Sequence, residues 1–332
     1  MRTRRFGFSV IAWALFPACL GLLAASASAQ NTETAPAIVA PAPATDDAQW
    51  QQELAAWRTQ REHELAAPDG WLTLAGLEWL KPGVNSVGAA ADNHIQIRAA
   101  APDHIGLLTV SSGTALSPSI VQLLSPSTGF PAGLTIDGEP AREGTLNVND
   151  LKPSIIAWHG LNLVVLNRGG RFALRIKDAD SPTRAAFHGL NWYAPDSNFR
   201  VMASWTPFTP RLVEHIPTVI GTTLDLPAPG IAQFTLNGKT LRLAPVLEDS
   251  AGKTLFFILR DLTSQTTTYQ SARFLHTGLP SNGLDQPGTL VLDFNRLENP
   301  PCAYTPYATC PLPPPANRLP TALEAGERRY AP

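Results

Sequence analysis

The segment Ile155-Ile-Ala-Trp-His-Gly-Leu-Asn-Leu-Val-Val-Leu166 decides the fold class of this chain, and Arg171-Phe-Ala-Leu-Arg-Ile176 follows it closely. Two apolar runs flank His159-Gly160, and a polar residue followed by glycine between such runs is typical of a tight turn joining two strands. Short apolar runs divided by Gly, Pro, Asn and Asp continue over residues 71–178, without an intervening helical pattern. The sequence therefore predicts a β-sandwich over this range.

A second β-rich unit is predicted over residues 184–332, after a short connector at residues 179–182. Asn237-Gly238 lies between two apolar runs and indicates a hairpin with a type I′ turn. Three consecutive prolines at positions 313–315 predict a C-terminal clasp, a proline-rich segment that wraps over a sheet without regular structure. We therefore expect a mostly β fold with two sandwich-like or barrel-like units.

Residues 46–67 carry a helical pattern, in contrast to the rest of the chain. Asp46 and Gln49 have the spacing of an N-terminal capping box, and Pro68-Asp-Gly70 ends the pattern. Four apolar residues share one face at helical spacing: Trp50, Leu54, Trp57 and Leu65. We expect an amphipathic helix that docks by this face onto the body of the protein; a groove for a partner is the alternative.

The composition limits the classes of function. The 332 residues include 25 Lys and Arg against 27 Asp and Glu, so the formal net charge is −2. This charge excludes a nucleic-acid-binding protein that acts through an overall basic field. Apolar residues make up 44% of the chain, which is enough to close a core. The length allows one or two domains.

Residues 1–29 have the pattern of a secretory signal peptide. Arginines at positions 2, 4 and 5 precede an apolar stretch, and Ala27-Ser-Ala29 is a small-residue cleavage site. A retained transmembrane helix is one alternative, although Pro17 and Gly21 interrupt the apolar run. A lipoprotein anchored through Cys19 is another. We therefore expect a periplasmic or secreted protein that has no transmembrane segment after cleavage.

Cleavage at this site would leave 22 basic and 27 acidic residues, a net charge of −5. Residues 30–45 are rich in Ala and Pro and nearly uncharged, so they predict a disordered tether. Cys302 and Cys310 would be the remaining cysteines, and two cysteines this close in an exported chain predict a disulfide. Half of a zinc site and a redox pair are the alternatives.

The order of signals in residues 71–178 resembles a forkhead-associated domain, with Gly83-Val-Asn-Ser-Val-Gly88 at the start of its sandwich. In that family an arginine and a Ser-Arg-x-x-His stretch bind phosphothreonine. Ala89 and Asp103-His104 stand at those positions here. Because the chain lacks the bidentate donors that phosphate recognition needs, the resemblance implies the fold, and we expect no phosphopeptide binding.

Seven motifs with polar and aromatic residues stand out along the chain: Pro68-Asp-Gly-Trp-Leu72, Arg260-Asp-Leu-Thr263, Thr268-Tyr269, Arg273-Phe-Leu275, Asp293-Phe-Asn295, Asn299-Pro-Pro-Cys-Ala303 and Cys310-Pro-Leu-Pro313. Together they resemble the family called Domain of Unknown Function 1684. The resemblance covers most of the chain from about residue 50. It implies no activity, because the family has no assigned chemistry.

The second unit also contains candidates for a polar pocket: His188, Asp261, Thr263, Tyr269, Arg273, Asp293 and Asn295. Under one interpretation these side chains cap turns and form ion pairs within the fold. Under the other, they converge beneath the clasp in the main polar pocket of the protein. Such a pocket would serve acid–base chemistry or the binding of a polar ligand.

Known catalytic motifs are scarce. The chain has no His-Glu-x-x-His, Gly-x-Ser-x-Gly, P-loop or Gly-x-Gly-x-x-Gly motif. Its seven histidines never pair at the spacing of metal ligands, so we expect no metal and no cofactor. This favours an exported binding protein whose partner is a small ligand or an envelope component. A hydrolase-like enzyme with a carboxylate-centred site in the second unit is the alternative.

Overall fold

The structure, a computed structural model, describes residues 47–113, 119–149, 152–248 and 251–331. The predicted signal peptide (1–29) and tether (30–45) lie outside the described residues. The described fold is mostly β, with four sheets and one long helix at its N-terminal side. Its sheets are open, so the barrel-like alternative is corrected. Within these ranges, no helix has both the length and the apolar character needed to cross a membrane.

Helix α1 (Asp47–Ala66) forms where it is predicted and docks onto the body of the protein. Its buried side chains are Trp50, Leu54 and Leu65. Trp57 packs edge-on against Trp192, with ring centroids 5.6 Å apart. Burial of a large apolar side chain contributes about 1.5–3 kcal/mol, so packing rather than intrinsic propensity holds this helix in place.

Short strands separated by turns run from residue 74 to residue 178. They are β1 (Leu74–Trp79), β2 (Gly83–Gly88), β3 (Ile95–Gln96), β4 (Gly106–Ser111), β5 (Ile120–Leu124), β6 (Thr135–Ile136), β7 (Glu139–Pro140), β8 (Gly144–Thr145), β9 (Ile155–Trp158), β10 (Leu161–Arg168) and β11 (Arg171–Asp178). One sheet has the order β1-β11-β10-β9-β6-β7 and the other has the order β3-β2-β4-β5-β8. Neighbouring strands are antiparallel, apart from β2 and β3.

The two sheets share one apolar core, which makes this unit a sandwich. Leu108 and Val121 enter the core from one sheet, and Leu163 and Leu174 enter it from the other. All four are almost fully buried. Along β4, buried and half-exposed residues alternate, as expected for a strand with one face toward the core. His159 has a φ of 48° and turns β9 into β10, as the sequence predicts.

The second unit contains a short helix and two further sheets. Helix α2 (Pro182–Ala185) precedes β12 (Arg200–Pro217), β13 (Thr223–Leu236), β14 (Lys239–Leu243), β15 (Leu255–Leu259), β16 (Arg273–Thr277) and β17 (Gly288–Asp293). The order β14-β13-β12-β17 forms a four-stranded antiparallel sheet, and β15 pairs with β16. Asn237 has a φ of 51° in the predicted hairpin turn between β13 and β14. Both sheets contribute to one core through Trp205, Phe234 and Phe257, and Phe294, directly after β17, joins the same core.

The C-terminal residues 303–331 form the predicted clasp. This segment contains no strand; a single-turn 3-10 helix leads into it at Pro301–Ala303, and another occurs at Pro315–Asn317. Leu319, Leu323 and Ala325 nevertheless lie in the core of the second unit. Gly326 has a φ of 77°, and a Cβ atom there would overlap the carbonyl oxygen of Leu297. The clasp therefore packs closely on the unit that it covers.

Candidate functional site

Asp261 and Arg273 form a fully buried ion pair. The guanidinium Nη1 donates to Asp261 Oδ2 at 3.0 Å, and neither side chain is accessible to solvent. Arg273 also donates to the carbonyl oxygens of Leu323 at 2.8 Å, of Ala325, and of Glu327 at 3.3 Å. This pair therefore fixes the last turn of the clasp to strand β16.

Asp261 has a second role as the cap of a short 3-10 helix (Leu262–Gln265). Its Oδ1 accepts from the Thr263 backbone N–H at 2.8 Å and from the Thr263 hydroxyl at 2.6 Å. The Thr263 hydroxyl oxygen also lies 2.9 Å from the Thr268 hydroxyl oxygen. The Leu323 backbone N–H donates to Asp261 Oδ1 at 3.1 Å. With four donors the buried carboxylate is fully satisfied.

Asp293 and Asn295 form a separate network on the side of helix α1. Asp293 Oδ1 accepts from the backbone and side-chain nitrogens of Asn295 at 3.1 and 3.0 Å. Its Oδ2 accepts from Trp50 Nε1 at 2.8 Å. Asn295 also exchanges two hydrogen bonds with the backbone of Asp196. Asp293 thus joins the end of β17 to the helix.

The remaining two candidates lie outside both networks. The Tyr269 hydroxyl donates to the carbonyl oxygen of Cys302 at 3.0 Å. Burial, followed by a contact with the Cys302 side chain, raises the pKa of Tyr269 to about 12. His188 is exposed in the loop after α2. The structure therefore brings Asp261, Thr263 and Arg273 together, places Asp293 with Asn295, and does not gather the seven residues in one pocket.

A cleft of about 200 Å³ opens beside Asp293 between helix α1 and strands β12, β16 and β17. We call it the α1 cleft, and its charged and aromatic lining consists of Trp50, Glu53, Arg200, His276, Asp293 and Arg296. Two carboxylates and three basic side chains thus face the same space. Arg296 Nε lies 3.9 Å from Asp293 Oδ2, which leaves its guanidinium only loosely paired with that carboxylate.

His276 is held between two carboxylates at the edge of the α1 cleft. Its Nε2 lies 3.0 Å from Glu248 Oε2, and its Nδ1 lies 3.4 Å from Glu298 Oε1. Burial alone would lower the pKa of His276, but the hydrogen bonds to the two glutamates outweigh burial and raise it to about 9. The imidazole is therefore a cation at neutral pH, and it also stacks on Phe256 at 4.6 Å.

A buried polar cluster anchors helix α1 behind this cleft. Arg61 Nε lies 3.0 Å from Glu327 Oε1 and 3.2 Å from Glu298 Oε2. Glu327 Oε2 accepts from the Tyr304 hydroxyl at 2.6 Å and from the Asn299 N–H at 2.7 Å. Burial lowers the pKa of Arg61, but its ion pairs with Glu298 and Glu327 outweigh burial and raise it.

The predicted disulfide is corrected by the structure, in which Cys302 and Cys310 are free thiols. The Cys302 N–H donates to Cys310 Sγ at 3.0 Å, so the two cysteines lie side by side without a covalent bond. A hydrogen bond with the Cys310 thiol lowers the pKa of Cys302, and the same contact together with burial raises the pKa of Cys310. No cluster of His, Cys, Asp or Glu in the described ranges has the arrangement of a metal site.

A larger cavity of about 520 Å³ lies where the sandwich meets the clasp, and this corrects the expectation that the main pocket belongs to the second unit. Its lining includes Glu78, Arg98 and Asp178. Two hydroxyls at this cavity are already engaged, since Ser181 donates to the Leu72 carbonyl at 2.6 Å and Thr305 to the Leu74 carbonyl at 3.1 Å. None of the seven candidate residues lines this cavity, whereas Asp293 lines the α1 cleft.

Four residues of the α1 cleft were missed by the sequence reasoning: Glu53, Arg200, His276 and Arg296. They come from helix α1, strands β12 and β16, and a single-turn 3-10 helix after β17 (Phe294–Arg296), which are far apart in the chain, so no local spacing joins them. One signal was available, because Arg296 follows Asp293 by three residues and Asp293 itself was a candidate.

The second unit of the chain matches a known protein family. Residues 185–328 match the family described as Protein of unknown function (DUF1684), which confirms the predicted resemblance over this part of the chain. A similar solved structure is the solution NMR structure of the uncharacterized protein from gene locus rrnAC0354 of Haloarcula marismortui. It is 31% identical, covers 45% of this chain and 80% of its own, and has a TM-score of 0.38. No curated protein matches the chain. The resemblance to forkhead-associated domains stays a prediction.

Proposed function

Because residues 185–328 match the DUF1684 family, whose description assigns no activity, we propose a function from the geometry of the α1 cleft. The protein is a binding protein for a small zwitterion, a molecule that carries an ammonium and a carboxylate group, such as a free amino acid. The observation that carries this proposal is the mixed lining, in which Glu53 and Asp293 face Arg200, Arg296 and the His276 cation.

The available hydrogen-bonding capacity supports a ligand of this class. A carboxylate accepts about four hydrogen bonds, and Asp293 receives three from Trp50 and Asn295. One acceptor position is left for an ammonium group. A guanidinium favours bidentate contact with a carboxylate. Among the described residues, the one ion pair of Arg296 is the 3.9 Å contact to Asp293. Its guanidinium can therefore bind the carboxylate group of the ligand.

The size of the cleft supports the same conclusion. Pockets for drug-sized ligands measure about 300–1,000 Å³, whereas the α1 cleft measures about 200 Å³. The Trp50 ring at its wall provides an apolar surface for a side chain. A ligand of amino-acid size therefore fills the space better than a peptide or a nucleotide.

A binding role is favoured over the hydrolase alternative. The predicted hydrolase site needs the carboxyl groups of Asp261 and Asp293 to reach the same substrate. Asp261 is fully buried and paired with Arg273, so it is closed to substrate. His276 is protonated at neutral pH, because its pKa is about 9, and an imidazolium is not a general base.

The cellular site of binding is proposed to lie outside the cytoplasm. The support is the pattern of residues 1–29, in which a basic start, an apolar stretch and Ala27-Ser-Ala29 occur in the order of a cleaved signal peptide. A ligand-binding protein of the periplasm or the external medium would meet free amino acids there.

The test is isothermal titration calorimetry with the twenty common amino acids as probes, beside acetate and methylamine, which carry one charge each. We expect saturable binding of at least one amino acid and none of the single-charge probes. Arg296→Gln should weaken that binding about tenfold or more, as loss of a charged hydrogen bond does. Arg211→Gln is the matched control, since Arg211 forms an exposed pair with Asp285 elsewhere.

Two results would overturn the proposal. One is the absence of heat and of thermal stabilisation with all twenty amino acids. The other is unchanged affinity in Arg296→Gln, which would place any bound amino acid outside the α1 cleft.

A further inference from the structure

A third cavity, of about 340 Å³, lies at the edge of the clasp, away from the residues of the α1 cleft. It is lined by Arg260, Gln270, Ser271, Leu312, Pro313 and Arg318. We infer that this cavity binds the phosphate or sulfate group of a small organic molecule. The inference is independent of the function proposed for the α1 cleft.

The two arginines face the cavity because their backbones are paired. Arg260 follows strand β15 and forms a parallel bridge with Arg318, with hydrogen bonds from the Arg260 N–H to the Asn317 carbonyl at 3.1 Å and from the Leu319 N–H to the Arg260 carbonyl at 2.7 Å. Residues paired in this way project to the same side of a sheet. The fold thus places two guanidinium groups side by side.

Neither guanidinium has a carboxylate partner within the described ranges. Arg260 Nε donates to the Ser264 hydroxyl at 3.0 Å, and the neighbouring Asp261 points into the core, where it pairs with Arg273. Two like charges held close together without a counter-charge repel each other. An oxyanion between them removes this repulsion and receives their N–H groups in the geometry that guanidinium favours.

Hydrogen bonds fix the surroundings of the two arginines. The buried Asn317 side chain bonds to the backbone of Ala244 and Ile258, which holds the residue before Arg318 in place. Ser264, also buried, positions Arg260. Because little ordering is needed on binding, little of the interaction energy is lost.

The cavity is also larger than a bare phosphate requires. Leu312 and Pro313 form an apolar wall, and Gln270 and Ser271 offer an amide and a hydroxyl. This combination fits an organic group attached to the oxyanion. We therefore expect an organic phosphate to bind more tightly than inorganic phosphate.

The experiment titrates the full protein with inorganic phosphate, with sulfate and with phenyl phosphate by calorimetry, and adds sedimentation with vesicles of an anionic phospholipid. The expected result is saturable binding of one molecule per chain, with phenyl phosphate tighter than phosphate. Arg318→Gln and Arg260→Gln should each lower the affinity about tenfold or more. Arg242→Gln, an exposed arginine that bonds to Gln233, should leave it unchanged.

The possible failures are distinct. No saturable binding of any soluble probe, or an equal loss of affinity in Arg242→Gln, would overturn the inference. Vesicle binding without binding of the soluble probes would also overturn it, in favour of a charged membrane surface. If Arg260→Gln unfolds through loss of its Ser264 contact, the exposed Arg318→Gln carries the test alone. Unchanged amino-acid binding in Arg318→Gln would separate this site from the α1 cleft.

Discussion

Replacing Arg273 by Met should strongly destabilise the protein, because this side chain holds the clasp in place. Methionine has a comparable length and is apolar, so it fills most of the space without replacing any hydrogen bond. Asp261 would lose its counter-charge while remaining fully buried. The carbonyl oxygens of Leu323 and Ala325 would each lose their Arg273 donor.

The magnitude follows from these losses. Removing one partner of a buried ion pair costs about 3–5 kcal/mol, and an orphaned buried carbonyl adds about 1 kcal/mol or more. Asp261 keeps three donors, from Thr263 and Leu323, which limits the penalty on its charge. We therefore expect Arg273→Met to lower the free energy of unfolding by about 5 kcal/mol.

The assay is urea unfolding followed by tryptophan fluorescence, with the slope of the transition compared between variants. Asp261→Asn should cost less, because Arg273 keeps its carbonyl acceptors. The double variant should be more stable than the sum of the single losses implies, by about 2 kcal/mol, since the two residues contact each other. Arg242→Met, at an exposed position of β14, is the control and should change stability by about 0.5 kcal/mol or less. A loss below about 1 kcal/mol in Arg273→Met would refute the reasoning.

Two further predictions concern His276 and the thiols. The folded pKa of His276 is about 9, above the unfolded value of about 6.5, so its stabilising contribution is complete below about pH 6.5 and is lost as the pH rises through 9. An NMR titration of the imidazole should give a midpoint near 9 that falls in Glu248→Gln; a midpoint of about 6.5 in both proteins would contradict this. In the reduced protein, iodoacetamide should modify Cys302 before Cys310, because Cys302 is half-buried with a lowered pKa whereas Cys310 is buried with a raised one. Peptide mass spectrometry measures the order, and faster modification of Cys310 would refute it.

Features of the fold that depend on local sequence were predictable. Helix α1 has its apolar residues on one face and a Pro-Asp-Gly sequence at its end. The turns at His159 and Asn237 each require a residue with positive φ, and the sequence places a polar residue before glycine at both. These signals involve only a few neighbouring residues, so they can be recognised without knowledge of the tertiary contacts.

The candidate site depended on contacts that no local pattern contains. Asp261 and Asp293 both follow apolar strands in the sequence, yet one is fully buried against Arg273 and the other borders a cleft. What separates them is the partner that packs over each: residues 323–327 cover Asp261, and Trp50 reaches Asp293 from 243 residues away. Cys302 and Cys310 were predicted to be close, and they are, but proximity in sequence does not determine their oxidation state.

The buried candidates still bear on the α1 cleft, although Asp261 and Arg273 do not line it. Arg273 fixes the carbonyl groups of Ala325 and Glu327, and the Glu327 side chain pairs with Arg61 of helix α1. The same helix supplies Trp50 and Glu53 to the wall of the cleft. Displacing the clasp would therefore loosen the helix and widen the cleft. For this reason Arg273 is a positioning residue for the proposed site, and its replacement should weaken ligand binding together with stability, whereas Arg296→Gln should weaken binding alone.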